Sequence, residues 1–348
     1  MQSRNTQPKS VAPQGRFRDL VPRISARPPV IMRQLRPDSS LPLLIESSSK
    51  APRLNSWARA NQGAIESQLL KYGGILFRGF HPSIAEFEEF METIFGRLLA
   101  YSHRSTPRKP VNGKIYTSTE YPAHQSIPLH NENAYARNWP MKIGFLSLQC
   151  AASDGETPIC DSRRVYKRIP ADVRERFAHR GLMYVHNYGS GSDPSWQDLF
   201  QTISKSDVEN YCRHAGIEFE WLSANRLRTR QIRQAVARHP RTGEMVWFNQ
   251  AQLYHVSRLP ADVREALLSI FNEDELPRNV FYGDGTPIEA SDLDRICEVY
   301  ELEKIIFRWH EGDVLLLDNM LAAHGRNPFT GERKVVGGMA EPYGLTIQ

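Results

Sequence analysis

Cysteine is scarce in this chain: Cys150, Cys160, Cys212 and Cys297 are the only four in 348 residues, and no two form a C-x-x-C pair. That excludes a disulfide scaffold and a cysteine-rich zinc site, and leaves ordinary core thiols of a reducing compartment. Long hydrophobic runs are also missing. No stretch approaches the roughly 18 apolar residues of a membrane span, and no apolar segment follows the N-terminal charges as a secretory signal requires. The expectation is a soluble, cytoplasmic protein with no membrane partner.

Charge of one sign is absent from most of the chain. The formal total is +5, but the first 37 residues hold eight Lys/Arg against the single acid Asp19, so taking that +7 from the total leaves −2 on the rest. A nucleic-acid binder carries its positive charge on the folded domain, so nucleic acid is not expected as a partner. Residues 1–37 are Arg-rich and acid-poor as transit peptides are, but Pro8, Pro13, Pro22, Pro28 and Pro29 interrupt the helix such peptides form. They are read as a disordered basic tail, and residues 38–348 as a single domain whose 40% hydrophobic content supplies a core.

What is present begins as helix. Trp57, Ala60, Ile65, Leu69 and Leu70 fall on one face of a helix over Trp57–Tyr72, which Gly73-Gly74 would end. A buried strand Ile75–Phe77 follows, then a second helix over Ser83–Phe95 with Ser83 as N-cap, so residues 38–98 read as a helical flank. From about Lys114 the texture becomes short β-like runs bounded by turn residues: Ile115–Ser118, Lys142–Cys150, Thr157–Asp161, Leu182–Tyr188, Met245–Asn249, Asp313–Leu317 and Lys334–Met339. Many short strands mean a sandwich or barrel. Ile169-Pro-Ala-Asp-Val-Arg-Glu and Leu259-Pro-Ala-Asp-Val-Arg-Glu begin alike, which a shared way of starting a helix explains better than duplication. The helical insertion around 189–216 carries Trp196, Phe200 and Tyr211, and is either a lid or a packed excursion with Trp196 in its core.

Among eleven histidines only His130-Asn131-Glu132 has the H-x-[DE] form, and in a strand that spacing turns imidazole and carboxylate to one face. Chance alone supplies about one such unit in this composition. The distant run Leu315-Leu316-Leu317-Asp318-Asn319 followed by His324 adds the missing partner, since a 2-His-1-carboxylate facial triad takes two ligands from one strand and a third from another. Arg333 is suited to grip a carboxylate with its planar fork. His255 and His310 are better read as structural or surface histidines, and His103 and His186 stay open as substrate contacts.

The runs Pro128-Leu-His130-Asn-Glu132, Gly155-Glu-Thr157-Pro-Ile, Asp318-Asn-Met-Leu-Ala-Ala-His324-Gly-Arg326 and Gly331-Glu-Arg333 resemble the taurine dioxygenase (TauD/TfdA) family of Fe(II)/2-oxoglutarate-dependent oxygenases, with the syringomycin-type hydroxylases of peptide natural-product pathways the nearest branch. The resemblance runs from about Leu41 to Pro342. It implies a mainly β fold with flanking helices, a double-stranded β-helix or cupin-like jelly roll. It implies that His130, Glu132 and His324 bind Fe(II), that Thr157 and Arg333 hold the distal carboxylate of the co-substrate 2-oxoglutarate, and that Arg326 supports the co-substrate or caps its turn. O₂ would be the oxidant, and a substrate C–H would become an alcohol. Two departures bear on substrate. Glu132 replaces the Asp of taurine dioxygenase, and Gly337 stands where that enzyme has a substrate-binding arginine. Both point away from a small sulfonate and toward an amino-acid-like substrate, free or tethered to an acidic carrier protein that the basic tail would steer. Two rivals remain from the residues alone: a zinc hydrolase using the same three ligands, and a metal-free binding protein on the same fold. Oligomeric state is left open.

Overall fold

The computed structural model describes residues 30–37, 39–48, 53–100, 109–118, 121–189 and 195–344. Its largest sheet has eight strands in the order Val30–Arg36, Ser39–Ser47, Gly74–Arg78, Val314–Asp318, Asn138–Gln149, Lys334–Gly344, Ile115–Thr117 and Pro110–Asn112. All neighbours are antiparallel except Ser39–Ser47 with Gly74–Arg78. The unbroken apolar run at 314–317 is explained by its central place there. Val314 and Leu316 point to one face, under the helices Leu54–Tyr72 and Ile84–Phe95, while Leu315 and Leu317 point to the other with Leu44, Leu76 and Ile159. Both faces are covered, so the alternation of a half-exposed strand disappears.

The second face of the barrel is a three-stranded antiparallel sheet in which Ala322–Arg326 lies between Ile127–His130 and Ile159–Asp161. The two sheets enclose the apolar cluster around Leu315, Leu317, Phe307 and Trp309, and form the expected jelly roll with helices outside. A separate four-stranded antiparallel sheet, Glu218–Trp221, Leu227–Arg233, Leu182–Tyr188 and Arg278–Tyr282, flanks it.

Two sequence expectations need correction. The tail does not extend to residue 37, because Val30–Arg36 is the edge strand of the main sheet, paired with Ser39–Ser47. Residues 1–29 lie outside the described residues. The 38–98 flank is not only helical either. Ser39–Ser47 and Gly74–Arg78 extend the main sheet, and the buried run Leu41–Ile45 belongs to a strand covered on both faces. The second helix does begin at Ser83, whose hydroxyl accepts the Glu86 N–H while the Glu86 carboxylate accepts the Ser83 N–H, a reciprocal cap.

Within the insertion, helices Trp196–Phe200 and Lys205–Ala215 pack on the small sheet around Trp196, Val208, Cys212 and Leu227. Trp196 is 2% exposed, so the described part is a packed excursion with its own core. The two similar helix starts have different surroundings: Ala171–Arg180 buries Val173 and Phe177, and Ala261–Leu268 buries nothing. A common way of starting a helix accounts for both.

Candidate metal centre and anion pocket

His130 ends its strand and stands in register opposite His324. The register slips between His324 and Arg326, and Gly325 sits at the slip, where a Cβ would lie 2.6 Å from the Ile127 carbonyl. Only glycine fits between His324 and Arg326 at that approach. The imidazole centroids of His130 and His324 are 4.6 Å apart. Each Nε2 lies 4.0 Å from the same Glu132 oxygen, Oε2. One ligand atom from each of the three residues lies within 4.8 Å of the others, and among the described residues no second such His/Cys/Asp/Glu group occurs. His130 Nδ1 is 2.8 Å from the Pro128 carbonyl, which can only accept, so the proton sits on Nδ1 and Nε2 keeps its lone pair toward Glu132.

The backbone that carries these groups is clamped from behind. Asn319, fully buried, accepts the Glu132 N–H at 2.7 Å and donates to the Glu132 carbonyl at 2.9 Å and to the Pro140 carbonyl at 2.8 Å. Gln250 donates to the Asn131 carbonyl and Gln252 to the Leu129 carbonyl. Asn131 donates to Ser162 Oγ and to the Asn319 carbonyl. Beside Asn319, Asp318 accepts the Met320 and Leu321 N–H groups on one oxygen, and Lys142 Nζ at 2.6 Å and His239 Nε2 at 3.2 Å on the other. His239 Nδ1 accepts two backbone N–H groups, so His239 is the neutral Nε2–H tautomer. Burial alone would raise the Asp318 carboxyl, but the Lys142 ammonium and the His239 N–H prevail and lower it to about 2.

A second cluster lies on the neighbouring strand and the barrel end. Thr157 precedes Ile159–Asp161, the strand paired with that of His324. Its Oγ1 accepts from Trp309 Nε1 at 3.1 Å and from the Arg333 guanidinium at 3.3 Å, and Arg333 Nε donates to the Gly155 carbonyl at 2.7 Å. Gly155 takes φ +72°, and a Cβ there would meet Phe329 and the Arg333 side chain. A cavity of about 320 Å³, lined in part by Ser147, Trp309, Arg333 and Val335, opens at this end. Burial, with the Arg326 guanidinium nearby, pulls Arg333 down to about 10, which leaves it a cation at neutral pH. Neither Arg333 nor Arg326 has a carboxylate within 4 Å among the described residues. A desolvated arginine that no carboxylate bridges, with Glu156 acting on it only at a distance, suits a carboxylate ligand, so Arg333 and Thr157 fit one carboxylate of 2-oxoglutarate and the His/Glu/His cluster fits a divalent metal.

Arg326 itself is used differently. Its terminal nitrogens donate to the carbonyls of Tyr121, Pro122 and Gln125, so it pins the loop before the first ligand strand, although its buried Nε has no partner. His255 caps the turn at Ser257, and His310 lies in the turn closed by Asp313. His186 stacks on Tyr188 and meets Tyr254 edge-on, where burial lowers it to about 4. None of the three joins the metal cluster. His103 lies outside the described residues. Sequence reading missed Asn319, Gln250, Gln252 and Trp309 as groups with a part here. The first three face backbone, which no spacing rule reveals, while Trp309 sat among core aromatics.

A jelly roll that brings two histidines and one carboxylate together inside the barrel, beside a cationic pocket, is the design of a non-haem metal oxygenase. The chain belongs to the taurine catabolism dioxygenase TauD, TfdA family, whose profile matches residues 39–339. It is a 2-oxoglutarate-dependent dioxygenase, working with Fe(II), 2-oxoglutarate and O₂ on a small-molecule substrate. That membership disfavours the zinc-hydrolase and metal-free readings. The dapdiamide synthesis protein DdaC of Enterobacter agglomerans is 42% identical over 281 residues, 80% of this chain and 85% of that protein. In fold the chain is similar to PvcB of Pseudomonas aeruginosa, described as an Fe, alpha-ketoglutarate dependent oxygenase from an isonitrile synthetic pathway (TM-score 0.53, 13% identity, 90% and 92% of the two chains). It is similar also to a taurine dioxygenase from Burkholderia xenovorans (TM-score 0.53, 15% identity, 91% and 92%). Among the described residues no helix is long and apolar enough to cross a membrane.

Proposed function

We propose that this enzyme hydroxylates an unactivated C–H of an amino-acid-like substrate, free or tethered to an acidic carrier protein, in the cytoplasmic assembly of a peptide natural product, as syringomycin-type hydroxylases do. The observation that carries the reading is the presence of a His/Glu/His cluster together with a desolvated arginine bonded to Thr157, two residues before the strand paired with that of His324. The relative that takes part in dapdiamide synthesis supports the biosynthetic setting, and the glycine at Gly337 supports a substrate other than a sulfonate. Four unpaired cysteines agree with a reducing compartment.

In this reading His130 Nε2, Glu132 and His324 Nε2 hold Fe(II), the Nδ1–H bond to Pro128 keeps His130 in its ligating tautomer, and Asn319 keeps Glu132 turned inward. Arg333 and Thr157 grip the distal carboxylate of 2-oxoglutarate, while Arg326 shapes the rim. The bound metal with its co-substrate supplies the oxidising equivalent: substrate, 2-oxoglutarate and O₂ become alcohol, succinate and CO₂. The apolar barrel wall around Leu315, Leu317 and Phe145 keeps water from that step.

The test is an anaerobic titration of the apoprotein with Fe(II) and 2-oxoglutarate, followed through the weak visible absorption of the chelate. Absorption in the wild type but not in His130→Ala is expected, followed by succinate release with amino acids presented free or on a carrier. A folded protein that binds zinc but never develops the absorption would overturn the metal assignment. Succinate release with no amino-acid-like compound would overturn the substrate class.

A further inference from the structure

Thr157 Oγ1 owns one proton and two lone pairs. Both lone pairs are taken in this structure, one by Trp309 Nε1–H at 3.1 Å and the other by the Arg333 guanidinium at 3.3 Å. Neither partner can accept: an indole nitrogen and a guanidinium are donors only. The hydroxyl proton is therefore directed away from both, and no acceptor among the described residues takes it. Trp309 is held to this task. It is 5% exposed, its ring packs edge-on to Phe307 at 5.2 Å, and its carbonyl accepts the Cys150 thiol.

We infer that Trp309 is a positioning residue that makes Thr157 an obligate donor, so that Thr157 and Arg333 together present only donors and select a carboxylate over its isosteric amide at the far end of the 2-oxo acid. The inference rests on the proposed assignment of Arg333 and Thr157 to the 2-oxoglutarate distal carboxylate. Without the indole N–H, one lone pair on Thr157 is released, the hydroxyl can turn to accept, and an amide NH₂ finds a partner it lacked. Indole donation also polarises the Thr157 O–H, so its loss weakens the bond to a carboxylate.

The experiment compares binding of 2-oxoglutarate and of 2-oxoglutaramate, its terminal amide, to the full-length Fe(II)-loaded protein under argon, read from the visible absorption of the chelate, with no turnover involved. Trp309→Phe is expected to weaken 2-oxoglutarate binding about three- to tenfold, the loss of one hydrogen bond, and to leave 2-oxoglutaramate unchanged or tighter. In a Thr157→Val background the same substitution should change 2-oxoglutarate binding by less than about twofold, because the coupling runs through the hydroxyl. Equal weakening of both ligands, or an equal loss in both backgrounds, would assign Trp309 to packing and overturn the inference. If Trp309→Phe does not fold, the benzothiophene isostere, which keeps the ring shape and replaces N–H with sulfur, gives the same comparison, and unaltered selectivity there overturns it too. Arg333→Gln separates the two levels of the argument. Undiminished 2-oxoglutarate binding in that variant sinks the anchor assignment itself, whereas lost binding beside an unresponsive Trp309 sinks only the role of the indole.

Discussion

The metal cluster and the arginine pocket are built on opposite principles. At the metal end the segment that carries His130 and Glu132 is held by Asn319, Gln250, Gln252 and Asn131 through main-chain carbonyls and N–H groups, and His324 by its place in a three-stranded sheet, so their positions are fixed before any ion arrives. At the anion end no carboxylate bridges Arg333 among the described residues, Glu156 acting on it only at a distance, and Trp309 and Arg333 both donate to Thr157. The first end is over-determined, and the second leaves a buried cation that no carboxylate bridges. A metal site tolerates little misplacement, whereas a flexible dicarboxylate can be drawn in by charge and aligned afterwards.

The comparison can be broken from either side. The largest effect is expected from His130→Ala, which should reduce turnover to background and abolish the chelate absorption while circular dichroism stays native. Next, Arg333→Ala should raise the 2-oxoglutarate requirement about 100-fold, as removing one partner of a buried charge pair does, with metal affinity measured by equilibrium dialysis unchanged. Asn319→Leu should do the reverse, lowering metal affinity about 10- to 100-fold with little change in 2-oxoglutarate affinity once metal is saturating. If both constants fall together in either variant, the two ends are not independent.

Asp318→Asn sharpens the contrast on stability. It leaves the buried Lys142 ammonium without a carboxylate and should cost about 3–5 kcal/mol in a urea melt near neutral pH. The sign of its pH dependence follows from the carboxyl being held at about 2, below its ordinary 3.8. The unfolded chain binds more protons between those values, so this stabilisation is complete above about 4 and disappears as pH falls toward 2. The variant should lose that part of the acid slope. The smallest effect is reserved for deleting residues 1–29, which should leave turnover on a free amino acid within about twofold and slow it on an acidic carrier at low salt. Equal rates on both would remove the steering role.

Much of this architecture was legible in the residues because period and punctuation carried it. The seven β runs read from Ile115 onward all contain strands, and Ser83 is the cap its sequence announces. The strand Val30–Arg36 was hidden because prolines and a basic composition mark a tail, and Ser39–Ser47 because the helices that follow it made residues 38–98 read as a helical flank; only pairing within the main sheet overrides those local signals. At the site, His130, Glu132 and His324 were legible through side-chain spacing. The clamps were not, since an amide that bonds a carbonyl far along the chain leaves no periodic trace. Arg326 looked like Arg333 on paper, and its partners set it apart: three carbonyls of one loop absorb its terminal nitrogens.

The strand Ala322–Arg326 lies between the strand ending in His130 and the strand that follows Thr157, so one short segment adds His324 to the metal cluster and ties that cluster to the strand leading from Thr157. During synthesis the chain emerges from its N-terminus, and His130, Glu132 and Thr157 are all made long before His324. Until that late strand and the Arg333 beyond it are made, the growing polypeptide has neither the third member of the His/Glu/His cluster nor the guanidinium that bonds Thr157. Both clusters are thereby tied to completion of the chain: a product that stops before His324 lacks one of the three residues that the fold brings together.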